Sequence, residues 1–264
     1  MYEFAYQRPS NVDEAAGILA GDPEAKALAG GMTFIPVLKQ RLARPTVVVD
    51  LAKTGLTGIS VGPNGVTIGA MTRHADVSES TEVRAKIRGL SDLASWIGDE
   101  AVRHRGTIGG SLANNDPAAC YPAAALALGA TIKTNKREIK ADDFFQGMFT
   151  TALEQGEIIT SVTFPVPEKS AYEKFRNPAS RYAIVGVFVA KFPSEVRLAI
   201  TGAGQNGVFR HPEMETALTA SFSPDAIANI KTSPDGLNSD IHASAEYRAH
   251  LIGVMAKRAV AKAA

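Results

Sequence analysis

The chain has 264 residues, 45% apolar and 21% charged, with a formal net charge of +1. That length allows a sizeable core in one or two domains, and the near-neutral balance gives no electrostatic reason for a nucleic-acid or anionic-membrane partner. The single cysteine, Cys120, excludes an internal disulfide and an iron–sulfur cluster, which takes about four ligands, and it fits a reducing cytoplasm. Met1 to Tyr6 lack the regions of a signal peptide, and no apolar run approaches the roughly 20 residues that span a bilayer.

In chain order, residues 3–8 read as a strand stopped by Pro9. Ser10 or Asn11 then caps a helix whose apolar face is Val12, Ala15, Ala16 and Leu19, ending at Gly21. Lys26 to Ala29 form a short strand running into Gly30-Gly31. Thr33 caps a second helix with Ile35, Leu38 and Leu42 on one face, ended by Pro45, and Thr46 to Leu51 are a β-branched strand. Together they make a small α/β lobe. Residues 58–72 alternate about Pro63-Asn64-Gly65, as a hairpin does. A short helix from Arg73 to Ser80 and a longer one from Val83 to Ile97 follow, with Trp96 read as a core residue.

Thr107-Ile108-Gly109-Gly110-Ser111 is then a glycine loop, and Asp116-Pro117 open an alanine-rich helix to Leu128, ended by Gly129. Ala130 to Lys133 are a strand, Asp142 to Phe145 a loop, and Glu157 to Pro165 a closing strand. Pro165 and Pro167 mark a boundary. Beyond it, Tyr172 to Phe175, Ala183 to Phe192 and Val196 to Gly202 read as strands. Glu213 to Leu218, Pro224 to Ile230 and Ser244 to Ala263 read as helices, giving an α+β unit.

No His or Cys spacing suits a metal, and no nucleophile elbow or phosphate-loop signature of the common nucleotide folds is present. Gly202-Ala203-Gly204-Gln205-Asn206-Gly207 reads as a turn, since no helix follows it. The two Gly-Gly pairs are either tight turns or two loops that grip one pyrophosphate through converging N–H groups. With the polar cluster Phe175 to Tyr182, they favour a bound phosphate-bearing cofactor over side-chain acid–base catalysis.

Three ordered motifs carry a resemblance over the whole chain. Ala29-Gly30-Gly31-Met32-Thr33 is similar to the first FAD loop of the molybdenum hydroxylase flavoproteins, and Thr107 to Ala119 to the second. Glu173-Lys174-Phe175 with Ser180 to Val187 resemble the start of that family's C-terminal domain. The family is the FAD-binding medium subunit of the xanthine dehydrogenase and aerobic carbon monoxide dehydrogenase type. The resemblance implies an α+β fold: a two-lobed PCMH-type FAD-binding domain over 1–170, with lobes about 1–57 and 58–170, then a smaller C-terminal α+β domain over 171–264.

It also implies the site. Ala29 to Thr33, flanked by Leu28 and Phe34, and Thr107, Ile108, Gly109, Gly110 and Ser111 would surround the pyrophosphate with N–H groups. Asn115 and Asp116 would lie along the ribityl chain and phosphates, Tyr182 near the isoalloxazine, and Ile158 or Ile159 against the adenine. Where many relatives carry a second Asp, this chain has Cys120, read as a small buried hydrophobe. The implied partners are a large molybdenum-cofactor subunit and a small iron–sulfur subunit, in a heterotrimer that is often doubled. A self-sufficient PCMH-type flavin oxidase and a degenerate scaffold subunit without FAD are the alternatives.

Overall fold

Proline and asparagine shape the entry to the first lobe in the computed structural model, which describes residues 1–263. Strand β1 (Ala5–Gln7) stops before Pro9, and the Asn11 side chain accepts the Glu14 N–H at 2.9 Å to cap helix α1 (Val12–Gly21). Strand β2 (Lys26–Leu28), helix α2 (Phe34–Lys39) and strand β3 (Val47–Asp50) follow. β3 is central and parallel to both β1 and β2. Parallel neighbours require crossovers, which α1 and α2 supply. Two expectations fail here. Helix α2 ends at Lys39 because Arg41 adopts a left-handed φ of 59°, so Leu42 leaves the apolar face and is 72% exposed. Thr33 sits at the cap position in helical backbone and makes no side-chain cap, which leaves its hydroxyl free.

The second lobe is built on the hairpin of β4 (Ile59–Gly62) and β5 (Gly65–Gly69), as its alternation predicts. Helix α3 (His74–Glu79) comes next. The expected helix over Val83 to Ile97 is instead α4 (Thr81–Lys86) and α5 (Arg88–Ser95). The chain breaks at Ile87, whose φ of −139° and ψ of 72° turn its side chain wholly into the core. Trp96 is not a core residue: it caps α5, 37% exposed, with the Lys262 ammonium 5.4 Å from its ring centre. A further short helix, α6 (Glu100–Arg103), starts where the Asp99 carboxylate accepts the Val102 N–H at 3.1 Å.

The second glycine pair lies in a helix rather than a loop. Gly109 and Gly110 form the first turn of α7 (Ile108–Asn114), and Thr107 Oγ1 accepts the Gly110 N–H at 3.1 Å. Asp116 does not open the next helix. Its carboxylate accepts the Ala118 N–H at 2.8 Å in a turn, and α8 (Tyr121–Ala127) begins later, with Pro122 in its first turn. Strands β6 (Thr131–Thr134) and β7 (Glu138–Lys140) lead to α9 (Ala141–Phe144), a helical turn where a loop was expected. A small hairpin of β8 (Phe145–Gly147) and β9 (Thr150–Thr151) and then strand β10 (Ile159–Phe164) complete the lobe. The sheet runs β4-β5-β10-β6-β7, all antiparallel, and its inward Val66, Ile68, Ile132, Val162 and Phe164 share one core with Leu90, Leu93, Ile108, Leu112 and Tyr121 of the helices.

The third unit is an antiparallel sheet in the order β11 (Lys169–Arg176), β12 (Ala183–Lys191), β13 (Val196–Thr201) and β14 (Phe209–Arg210). The fourth strand was not expected. Helices α10 (Pro212–Ala220) and α11 (Ala245–Ala263) were, but the helix expected over Pro224 to Ile230 is a 3-10 turn ending at Ile227. β12 is apolar almost throughout because both its faces are covered. Val185, Val187 and Val189 face Ile252, Met255 and Ala256 of α11, whereas Phe188 and Ala190 join the core of the second lobe. The overall class is α+β.

Candidate functional site

A cavity of about 560 Å³ is lined by residues of all three units. That volume is within the range of about 300–1,000 Å³ usual for small-molecule and cofactor sites. The stretch between β2 and α2 forms one wall, and the stretch entering α7 forms another. The two touch. A Cβ added to Gly30 would overlap the backbone carbonyl of Arg105, and one added to Gly110 would lie 3.3 Å from the Ala29 side chain. Gly31 has φ 76°, which turns the chain between them. Only glycine permits both the approach and the turn.

The hydrogen bonding of the two stretches differs. None of the backbone N–H groups of Gly30, Gly31, Met32 and Thr33 donates to another group among the described residues. Such a run of free donors at a cavity wall is an anion-binding arrangement. The second stretch is otherwise engaged. The N–H groups of Ile108 and Gly109 donate to Thr72 O and Ala70 O, and those of Gly110 and Ser111 to Thr107 Oγ1 and Thr107 O. The expectation of N–H donors from Ile108 to Ser111 is therefore corrected: a helical first turn anchored on the segment just after β5 takes them up. Gly109 is bare because a Cβ there would come within 2.6 Å of Ala70.

Charge around the cavity is arranged by burial. His74 lies behind Gly106, its N–H donating to Gly106 O at 3.0 Å, and burial together with the Arg103 charge lowers its pKa to about 4. It is neutral at pH 7, and its Nδ1 has no partner. Burial opposes the charge on Glu157, but Arg137 at 3.0 Å, the Glu154 N–H and the Thr134 hydroxyl outweigh it and bring its pKa down to about 2. Burial and the nearby Asp116 carboxylate raise the Tyr182 phenol. The walls are mostly apolar side chains and glycine backbone, which suits holding a ligand.

Of the residues expected from the sequence, Ala29, Gly30, Gly31, Met32, Thr33, Phe34, Thr107, Gly109, Gly110, Ser111, Asp116, Ile158, Ile159 and Tyr182 line the cavity. Leu28, Ile108 and Asn115 do not. Leu28 ends β2 and leans toward Gly31, and Ile108 is fully buried in the main core. Asn115 takes a left-handed φ of 44° after α7, and its amide donates to Gly147 O and Thr150 O, both at 2.8 Å, holding the β8–β9 hairpin instead. His74, Gly98, Lys174 and Arg181 line the cavity without having been expected, and Cys120 joins them as a buried thiol. Lys174 had a legible signal: two residues after Tyr172, it falls on the inward face of a strand.

Comparison with known proteins follows the same pattern. Residues 2–167 match the family described as FAD binding domain in molybdopterin dehydrogenase. The glyceraldehyde dehydrogenase medium chain of Sulfolobus acidocaldarius is 33% identical over 273 residues, covering 97% of this chain and 97% of that one. The carbon monoxide dehydrogenase medium chain of Afipia carboxidovorans is 35% identical, covering 98% of this chain and 96% of the relative. Among solved structures, reconstituted CO dehydrogenase from Oligotropha carboxidovorans superposes with a TM-score of 0.90 at 33% identity, over 99% of this chain and 98% of that one. The chain therefore belongs to the FAD-binding domain family of the molybdopterin dehydrogenases, as a homologue of the medium chains of carbon monoxide dehydrogenase and related hydroxylases.

Proposed function

We propose that this protein is the FAD-binding medium subunit of a multi-subunit molybdenum hydroxylase, passing electrons from partner iron–sulfur clusters through FAD to an external acceptor. The observation that carries the reading is the cavity itself, in which four consecutive unpartnered N–H groups, Gly30 to Thr33, face a glycine-bare helix start. That cradle fits a pyrophosphate, whose oxygens would accept from those four donors. The free Thr33 hydroxyl, with that of Ser111, adds two further donors.

FAD bound there would supply reversible one- and two-electron chemistry. The chain's own residues would bind, orient and shield. The N–H groups of Gly30 to Thr33 would hold the phosphates on one side, and the Ser111 hydroxyl at the glycine-bare start of α7 would meet them from the other. Asp116 would accept hydroxyl hydrogen bonds from the ribityl chain. Ile158 and Ile159 would form the apolar wall against the adenine, and Tyr182, half exposed at the rim, would shield the flavin ring from water. We take 1–170 and 171–264 as the structural units that supply these walls.

The partners in this reading are a large molybdenum-cofactor subunit and a small iron–sulfur subunit, in a heterotrimer that can double, within a reducing cytoplasm. One buried thiol cannot hold iron–sulfur clusters, so they would belong to another chain. No helix among the described residues is long and apolar enough to cross a membrane. The full-length likeness to medium chains favours this reading over a self-sufficient oxidase or a scaffold. It is tested by co-expressing the three chains and comparing wild type with Gly110→Trp, whose indole would fill the cradle. The variant complex should keep molybdenum and iron, lose FAD, and lose reduction of the external acceptor. Acceptor reduction that persists in the flavin-free complex would contradict the proposal.

A further inference from the structure

Lys174 is the only buried lysine among the described residues, and it lies in the cavity wall. Alternation along β11 puts it on the face of Tyr172, toward the second lobe. Its ammonium donates to the Trp96 carbonyl at 2.7 Å, to the Arg181 carbonyl at 3.0 Å and to Cys120 Sγ at 3.6 Å. The lysine thus ties the end of α5 to the Tyr182-bearing segment and stands beside Ile97, Gly98 and Cys120. Its carbonyl partners carry no charge.

No carboxylate lies within 4.0 Å of this ammonium among the described residues. Neither acidic residue of the cavity wall pairs with it: Glu157 is paired with Arg137 at 3.0 Å, and Asp116, which accepts the Ala118 N–H, lies near Tyr182. A buried cation facing only dipoles is costly to maintain, and such charges gather at functional sites. The Gly30 to Thr33 stretch supplies free donors for phosphates. The wall around Lys174 is different in kind: Ile97, Gly98 and Cys120 offer mostly apolar surface, with Lys174 as the buried charge and the exposed Arg181 packed against Gly98. An aromatic ring that gains negative charge is the group this wall suits.

We propose that Lys174 sets the reduction potential of the bound flavin, its ammonium stabilising the negative charge that the isoalloxazine gains on reduction, with a cysteine at position 120 where a carboxylate would pair with it. The inference rests on the cofactor reading above. A fixed cation beside a group that becomes more negative favours the reduced form, and the effect is strong where water is excluded. A carboxylate at position 120 would cancel the lysine charge from the distance at which the thiol now sits.

The test is an equilibrium redox titration of the FAD-loaded protein, read from flavin absorbance against reference dyes. Lys174→Gln keeps amide donors for the two carbonyls and removes the charge. It should lower the reduction equilibrium at least tenfold, about 30 mV for a two-electron couple. Lys174→Arg and Cys120→Ser should stay within about threefold of wild type, because both preserve the local charge. A Lys174→Gln protein that retains one FAD at the wild-type potential overturns the proposal. If that variant does not hold flavin, Cys120→Asp decides: a tenfold fall supports the proposal and an unchanged potential overturns it. A wild-type protein that binds no FAD, alone or in its complex, contradicts the cofactor reading itself, and this inference with it.

Discussion

Single atoms decide whether the two glycine stretches can meet. Gly30 has no room for a methyl group against the Arg105 carbonyl, which is backbone and cannot rotate away. Gly30→Ala should therefore destabilise the chain by about 1–3 kcal/mol through overpacking, and should also lower the FAD content. Thermal unfolding and flavin absorbance check this, and a variant as stable and as yellow as wild type would contradict it. Glu157 makes a prediction about pH. Its folded pKa of about 2 lies below its ordinary 4.5, so the folded state binds fewer protons between those values. Its contribution is complete above pH 4.5 and is lost as pH falls toward 2. Urea midpoints measured across that window should fall more gently with acid in Glu157→Gln than in wild type. Equal slopes would show that the Arg137 pairing does not set the acid limb.

At the scale of elements, Asn115 joins α7 to the β8–β9 hairpin through two part-buried hydrogen bonds to the Gly147 and Thr150 carbonyls. Asn115→Ala should cost about 0.5–1.5 kcal/mol for each hydrogen bond lost. Amide exchange should then accelerate in residues 145–151 well before the rest of the second lobe. Uniform exchange across the lobe would contradict a local role. The same elements show what the sequence reveals and what it hides. The β4–β5 hairpin, α1, α11 and the apolar run of β12 were legible, because period and caps are local properties. The break between α4 and α5 was not, because Ile87 leaves helical geometry to reach a core assembled from distant strands. The Gly109-Gly110 pair reads as a loop by residue type and is a helix by context, since Thr107 caps it and Ala70 admits nothing larger. Asn115 and Asp116 are neighbours in sequence, yet a left-handed residue sends only the second toward the cavity. The roster of cavity residues was largely legible from motifs. His74 was not, because its burial depends on Gly106 and Tyr121 from distant parts of the second lobe, and for Lys174 strand alternation gives the inward face but not the cavity that the third unit closes.

For the whole molecule, the cavity exists only because three units close on one another. The third unit is fastened to the second by Arg197, whose guanidinium donates to the Leu126 carbonyl and pairs with Asp142 at 2.7 Å. Thr201 adds hydroxyl contacts with the Pro117 and Ala119 carbonyls, next to the turn that bears Asp116. The first lobe is fastened through a shared apolar cluster of Leu19, Val49, Leu51, Met71 and Ile158. These joints hold Thr33, Ser111 and Tyr182, which are far apart in sequence, around one space. The measurement that tests this most directly is a visible absorption spectrum of the purified chain after incubation with FAD and gel filtration. About one FAD per chain, lost in Gly110→Trp with the fold intact by circular dichroism, is the result predicted. A well-folded wild-type chain that stays colourless, both alone and co-purified with its large and small partners, would contradict it.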